Sequence, residues 1–141
     1  MRFWDSSALI PLLVVEPHTE TVRRLTTEDP TIVVWWGTRV ECMHAICRCR
    51  REDRIDDQGE HRARNVLEAL AERWLEMQPT SALRSEAEQC LAAHLLKAAD
   101  ALQLAAAVRW SGQQPQGRDF VCLDGQLRTA ARTEGFQVLP V

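Results

Sequence analysis

Four acidic residues in this chain stand at places where carboxylates can do chemistry together. Asp5 and Asp124 each follow a short apolar run, Glu41 lies just after another, and Asp100 precedes the apolar segment from Ala101 to Val108. Carboxylates that are brought close together repel each other, and their pKa values rise. A divalent cation relieves the repulsion and supplies a centre for reactions at phosphorus. If the fold gathers these four residues, their types predict metal-assisted cleavage of phosphate esters.

Each of these residues also has a purely structural explanation. Asp5 and Asp124 are good N-cap residues, and Asp124 also precedes a glycine, as in many tight turns. Thr38-x-x-Glu41 matches a capping box, in which Glu41 would reach back to the Thr38 backbone amide. Asp100 can pair with the lysine one turn earlier. These alternatives stay open for each residue alone, but the arrival of all four acids at one edge by accident is much less expected.

The elements that must position these residues alternate along the chain. Short apolar or β-branched runs predict strands, and apolar residues every three or four positions predict helices. The predicted strands are Arg2 to Asp5, Thr31 to Trp35, Asp119 to Leu123 and Phe136 to Leu139, with Gln78 to Thr80 as a short strand or connector. The predicted helices are Ala8 to Val15 (after Ser6 and Ser7 as turn and N-cap residues), Glu16 to the Asp29-Pro30 stop, Arg39 to Glu52, Asp56 to Met77, Ser81 to His94, Lys97 to Trp110 and Gly125 to Glu134.

This alternation predicts an α/β fold with a mainly parallel sheet of four to five strands and helices on both faces. Ligands of such sheets bind outside the carboxyl ends of the strands. Asp5 and Asp124 fall at that edge, whereas Asp119 begins its strand and should lie at the opposite end. The helix from Lys97 is apolar nearly all round and should be deeply buried. In the helix from Arg39, the buried stripe is predicted to comprise Val40, Met43 or His44, and Cys47.

Length and composition fit one ordinary folded domain. The 141 residues are 45% hydrophobic and 26% charged, and the net charge is −3. Such a charge gives no overall basic field, so a nucleic acid would have to be held by a local basic patch and bound metal. The five cysteines include no C-x-x-C pair and fit reduced thiols better than a zinc site. The N-terminal apolar stretch lacks a signal-peptide cleavage site, and no apolar run is long enough for a bilayer, so we expect a cytoplasmic protein.

Four motifs, taken in order along the chain, resemble those of a known family. Asp5-Ser6-Ser7-Ala8-Leu9 resembles the opening motif, and Thr38-Arg39-Val40-Glu41 resembles the second. Ala99-Asp100-Ala101-Leu102-Gln103-Leu104-Ala105 is similar to the third motif, and Phe120-Val121-Cys122-Leu123-Asp124 to the last. The family is the PIN domain, specifically the VapC-type toxins of bacterial toxin–antitoxin pairs. The resemblance covers essentially the whole chain, and it implies a single PIN domain over residues 1–141 with a three-layer α/β/α sandwich.

The resemblance implies an endoribonuclease that depends on Mg²⁺ or Mn²⁺. Asp5, Asp100 and Asp124 would hold the ion, with Glu41 as a further ligand or acting through water. A metal-activated water would attack the phosphodiester in line and leave 5′-phosphate and 3′-hydroxyl ends. Hydrogen bonds that support these carboxylates would come from Ser6, Thr38, Gln103 and Cys122.

Two positions depart from the family pattern. Cys122 stands where the family usually has Thr or Ser, and a thiol is a weak hydrogen-bond donor. Gln103 replaces the usual His of the third motif, and its amide can still form hydrogen bonds. The four carboxylates are intact, so the sequence does not indicate an inactive site.

The resemblance also implies partners. VapC-type proteins are usually held inactive by a small antitoxin, whose tail fills a groove beside the N-terminal helices and often brings a basic side chain to the acidic site. Homodimers are common in the family. RNA would be gripped within the basic run from Arg48 to Arg54, with Arg48 and Arg51 as the candidates, although such a run also fits a solvated helix end. Trp35 and Trp36 can stack on unpaired bases or belong to the core or a dimer interface.

Other functions compete with this one. A receiver domain would need two adjacent acids after the first strand and a lysine after its last strand, and neither is present. A phosphatase of the haloacid-dehalogenase type would need Asp-x-Asp where this chain has Asp5-x-Ser7. The alternative that stays open is a catalytically weak binding module with the PIN fold, whose acidic pocket receives a basic side chain from a partner. Cys122 keeps this alternative open.

Overall fold

A computed structural model describes residues 1–141 and contains five strands and seven helices. The strands are β1 (Arg2–Trp4), β2 (Ile32–Trp35), β3 (Leu75–Met77), β4 (Asp119–Val121) and β5 (Gln137–Leu139). The helices are α1 (Ser6–Leu13), α2 (Thr19–Glu28), α3 (Thr38–Arg51), α4 (Asp57–Ala71), α5 (Ser81–Ala93), α6 (Ala98–Trp110) and α7 (Gly125–Glu134). None of these helices is by itself long and apolar enough to cross a membrane.

The five strands form one sheet in the order β3-β2-β1-β4-β5, and every pair of neighbours is parallel. The central strand β1 pairs with β2 and β4, with Phe3 opposite Val33 on one side and Phe120 on the other. The carboxyl ends of all five strands therefore lie at one edge of the sheet. The predicted α/β fold with a mainly parallel sheet is confirmed, and the sheet is wholly parallel.

Helices cover both faces of the sheet. Successive residues of a strand point to opposite faces, so Phe3 and Phe120 enter a core shared with α5, α6 and α7, whereas Trp4 and Val121 enter a second core with α1 to α4. This gives the expected three layers. As predicted, α6 is deeply buried, and most of its middle is closed to solvent.

The predicted end of the fourth helix was wrong. The helix expected to reach Met77 ends at Ala71, and residues 75–77 form strand β3, not the residues 78–80 proposed as a short strand or connector. The cause is the pairing of Leu75 with Val33, which adds β3 to the edge of the sheet. Trp74 misled the assignment because it continues the apolar helical spacing, and it is indeed buried, but in the turn before the strand.

The predicted buried face of α3 was also wrong. Its buried residues are Thr38, Cys42, Ala45, Ile46 and Cys49. By contrast, Val40 is 70% exposed, and Met43 and Cys47 are only half-buried. α3 packs against both α1 and α4, and the face that it turns to them runs through Cys42, Ala45, Ile46 and Cys49.

Candidate active site

Asp5 directly follows β1 and is the N-cap of α1. Its Oδ2 atom accepts hydrogen bonds from the Ser7 backbone N–H at 3.0 Å and from the Ser7 hydroxyl at 2.5 Å. The helix thus begins at Ser6, two residues earlier than predicted, and Asp5 caps it in place of the serines that follow. These donors all reach Oδ2, and Oδ1 has no protein partner. The capping explanation for Asp5 is correct, and it still leaves one oxygen free.

Burial dominates the electrostatics of Asp5. The residue is 3% exposed, and the loss of hydration raises its pKa from 3.8 to about 6. The hydrogen bonds from Ser7 lower the pKa, and the negative charges of Glu41 and Asp100 raise it. The structure therefore brings these three acids close enough to repel one another.

Glu41 lies in the first turn of α3 and is held by two residues from distant parts of the chain. Its Oε2 accepts from the Ser6 hydroxyl at 2.9 Å, and its Oε1 accepts from Gln103 Nε2 at 3.0 Å. The capping box expected for Thr38 and Glu41 is absent, because the N-cap is Gly37 and the Thr38 hydroxyl accepts from Gln103 at 3.0 Å. Burial raises the pKa of Glu41, the two hydrogen bonds lower it, and the charge of Asp100 raises it.

Asp100 lies in the first turn of α6, whose N-cap is Lys97. Partial burial raises its pKa, and the charge of Asp124 raises it further. The backbone N–H and the ammonium group of Lys97 lower the pKa. Lys97 and Asp100 do not form the ion pair considered from the sequence, although their charges do interact.

Asp124 follows β4 and is the N-cap of α7, and its Oδ1 accepts from the Leu127 backbone N–H at 2.9 Å. Its capping explanation is also correct, and Oδ2 has no protein partner. Asp119, at the start of β4, binds Arg2 Nε at 3.0 Å at the opposite edge of the sheet, as expected. The four predicted acids thus share the carboxyl edge, and Asp119 lies outside the group.

Ser7 is a residue of the site that the sequence analysis did not single out as a support for the carboxylates. Its hydroxyl donates to Asp5 and accepts from the Leu123 backbone N–H at 2.9 Å, which ties the end of β1 to the segment after β4. Cys122 Sγ lies 3.7 Å from both Asp5 Oδ2 and Ser7 Oγ. Burial and the charge of Asp5 raise the pKa of the thiol, so it stays protonated and can donate weakly. The position of Ser7, two residues after an N-cap Asp, is the signal that could have revealed it.

The donor chemistry of the site fits a hard divalent cation. No lysine or arginine forms an ion pair with any of the four carboxylates. Gln103, whose Nε2 donates to Glu41, is fully buried, and its Oε1 atom has no hydrogen-bond partner. Mg²⁺ and Mn²⁺ prefer oxygen ligands such as negatively charged carboxylates and neutral amide groups. As placed, however, no three Asp, Glu, His or Cys side chains form a group that could hold a metal ion together.

Some of the arginine and tryptophan residues considered for RNA binding already contact other parts of the protein, and others do not. Arg50 binds Asp57 at 2.7 Å, whereas Arg48 and Arg51 are exposed and form no ion pair. Trp35 is buried in the core, and Trp36 is 50% exposed at the end of β2. Arg48, Arg51 and Trp36 are therefore the members of these two sets that are open to a ligand.

Comparison with known proteins gives a match in structure. No protein-family model matches the sequence, and no curated protein matches it. The structure is similar to that of VapC20 from Mycobacterium tuberculosis, a toxin that cleaves the sarcin–ricin loop, with a TM-score of 0.68 and 18% identity over 92% of this chain and 95% of that one. It is also similar to FitAcB from Neisseria gonorrhoeae, with a TM-score of 0.67 and 18% identity over 99% of this chain and 97% of that one. The resemblance seen in the motifs is thus confirmed at the level of the fold, which is PIN-like.

Proposed function

We propose that this protein is an endoribonuclease that depends on Mg²⁺ or Mn²⁺ and acts as the toxin of a toxin–antitoxin pair. The observation that carries the proposal is the placement of Asp5, Glu41, Asp100 and Asp124 at one edge of the sheet, where none of them forms an ion pair with a lysine or arginine. The fold that presents them is shared with a toxin that cleaves the sarcin–ricin loop.

The four acids have two roles in this proposal. Asp5, Asp100 and Asp124 would hold the ion, and Glu41 would bind it directly or through water. The ion, when bound, would lower the pKa of water and neutralise charge that develops on the phosphate. Ser7 fixes the Asp5 carboxylate through two hydrogen bonds. Ser6 and Gln103 orient Glu41, and Gln103 also ties Glu41 to Thr38.

The protein's own residues can also be assigned to substrate and partners. Arg48 and Arg51 extend from the end of α3, and we assign them to RNA phosphates, with Trp36 available to stack on a base. For part of the antitoxin tail we propose the apolar groove of about 300 Å³ that lies between α1, α2 and α4, with Leu12, Ile32 and Leu70 in its wall. This groove lies where β2 begins, at the edge of the sheet opposite the four acids, so a different part of the antitoxin would have to reach them. We also expect a homodimer, as the family resemblance implies.

The test is cleavage of a 5′-labelled single-stranded RNA by the purified full chain, with Mn²⁺ or Mg²⁺ and with EDTA. We expect metal-dependent cutting that leaves 5′-phosphate and 3′-hydroxyl ends. Asp100→Asn should lose this activity. The matched control is Asp119→Asn, which alters a carboxylate at the opposite edge of the sheet and should keep it. Cutting that persists in EDTA or in Asp100→Asn would contradict the proposal.

A second candidate is the binding module whose acidic pocket receives a partner's basic side chain. It is favoured by one observation, namely that no three acidic side chains already form a metal-holding group. Thermal unfolding with and without Mn²⁺ separates the two, because a ligand that binds the folded state raises its stability. A nuclease should melt at a higher temperature in Mn²⁺, and Asp100→Asn should lose most of that gain. A binding module should show neither effect.

A further inference from the structure

A groove outside the acidic site begins one residue beyond Asp124. It lies between the loop that joins α5 to α6 and the first two turns of α7, and its volume is about 450 Å³. Its walls are formed by His94, Leu95, Gly125, Gln126, Thr129 and Ala130. The two sides are tied together where His94 Nε2 lies 2.7 Å from Glu134 Oε1. This volume falls in the range of about 300–1,000 Å³ that is typical of small-ligand sites.

Two side chains of the groove are exposed to solvent. Leu95 is 81% exposed and contributes an apolar surface to the wall of the groove. Gln126 is exposed, and its amide makes no hydrogen bond within the protein. An apolar surface can cover the face of a flat heterocycle, and a free amide can donate to and accept from the groups at its edge.

Lys97 lies in the chain between Leu95 of this groove and Asp100 of the acidic site. It is the only lysine in the chain, and it lies two residues after Leu95 and three before Asp100. Its side chain is exposed and forms no ion pair. Among the cations of the protein, it is the one whose charge acts on Asp100. A phosphate group beside the acidic residues would therefore find an unpaired ammonium within the same loop.

We propose that this groove binds one nucleotide of the RNA, with its base against Leu95 and the Gln126 amide and its phosphate at Lys97. The inference rests on the proposed ribonuclease function and adds a base-reading subsite to it. A base held here would lie on the side of the acidic residues formed by the α5–α6 loop and α7, so the groove would influence which sequence is cut.

Mononucleotide binding tests this inference without requiring cleavage. Reductive ¹³C-methylation of the full chain labels Lys97 and the Met1 amine, which contacts Asp29 at the far edge of the sheet and serves as the reference signal. With Mg²⁺ present, each of the four nucleoside 5′-monophosphates should shift the Lys97 signal. In ¹⁵N-labelled protein, they should also shift the amides of Leu95, Gly125 and Gln126, by amounts that differ between bases. Inorganic phosphate should shift Lys97 alone.

Two variants and their control sharpen the test. Leu95→Ser should weaken nucleotide binding by about tenfold, from the lost apolar contact, and leave phosphate binding unchanged. Lys97→Gln should weaken binding of both. Val15→Ser, which alters a side chain that is 88% exposed and far from the groove in sequence, should bind like the wild type. Identical shifts with phosphate and with nucleotides, or an unchanged affinity in Leu95→Ser, would overturn the inference.

The failure of this inference differs from failure of the proposed function. If the protein cleaves RNA but shows no base-dependent shifts, the proposed ribonuclease function stands and the proposed nucleotide site in the groove is refuted. If the protein shows the shifts but cuts no RNA, the nucleotide site in the groove stands and the proposed ribonuclease function is refuted.

Discussion

The charge on Asp5 should destabilise the metal-free protein at neutral pH. Burial raises the pKa of Asp5 from 3.8 to about 6 in the folded state. Below about pH 3, the carboxyl group is largely protonated in both the folded and unfolded chains, and it costs nothing. As the pH rises through 6, the folded protein must release a proton that it binds more tightly than the unfolded chain does. The free energy of unfolding therefore falls over this range.

The size of the effect follows from the same pKa. A change from 3.8 to about 6 corresponds to about 3 kcal/mol, because each tenfold change in an acidity constant is worth about 1.4 kcal/mol. Asp5→Asn removes the charge and keeps an acceptor for the N-cap, since Asn and Asp cap helices about equally well. In EDTA, we expect the variant to be more stable than the wild type by up to about 3 kcal/mol at pH 7.5. The two proteins should be nearly equal at about pH 3.

Urea unfolding of both proteins across this pH range, in EDTA, measures the difference directly. The matched control is Asp119→Asn, which removes the charge of the carboxylate that pairs with Arg2 and should lower stability at pH 7.5. Mn²⁺ should reduce or reverse the difference in the free energy of unfolding between Asp5→Asn and the wild type, because the bound ion would stabilise the wild-type carboxylate. If Asp5→Asn is no more stable than the wild type at pH 7.5, or if the difference does not shrink on acidification, burial does not control this carboxylate.

The remaining predictions concern the neighbours of this carboxylate and the basic end of α3. Ser7→Ala should lower stability by about 1–3 kcal/mol in urea unfolding, because it removes a donor to buried Asp5 and the acceptor of a backbone N–H. Cys122→Ser should strengthen Mn²⁺ binding in a melting-temperature titration, since a hydroxyl would orient the Asp5 carboxylate better than a thiol at 3.7 Å. Arg51→Gln should reduce the slope of log affinity for single-stranded RNA against log salt by about 0.7, measured by fluorescence anisotropy. Arg50→Gln should leave that slope unchanged, because this guanidinium is already held by an aspartate.

The positions of Asp5 and Asp124 at one edge of the sheet could be predicted because they depend on signals that are local in the sequence. Asp5 and Asp124 follow short apolar strands, and a parallel sheet brings the ends of its strands to one edge. Glu41 was harder to interpret, because Thr38-x-x-Glu41 also fits a capping box. The deciding contact comes from Gln103, 62 residues away, whose amide binds both residues. A choice that rests on a contact so distant in the chain cannot be made from local spacing.

Errors arose where packing overrode a local pattern. Val40 fits an apolar helical stripe, but the face of α3 that packs against α1 and α4 runs through Cys42, Ala45 and Ile46. Trp74 continues the spacing of α4, but the sheet edge of β2 draws the following residues into a strand. Part of the role of Ser7 could not be predicted for a related reason. Its hydroxyl accepts a hydrogen bond from the backbone N–H of Leu123, which lies 116 residues later in the chain.

The structural and functional explanations for the acids are compatible because a carboxylate has two oxygens. Asp5 caps α1 with Oδ2, and Asp124 caps α7 with Oδ1. The caps fix the direction of each side chain, and the second oxygen of each is left at the carboxyl edge of the sheet. A helix cap alone would be served equally well by Asn, which carries no charge. Capping therefore does not explain a buried charge at Asp5, which we expect to cost the folded protein about 3 kcal/mol at neutral pH, whereas a bound cation at this edge would stabilise that charge.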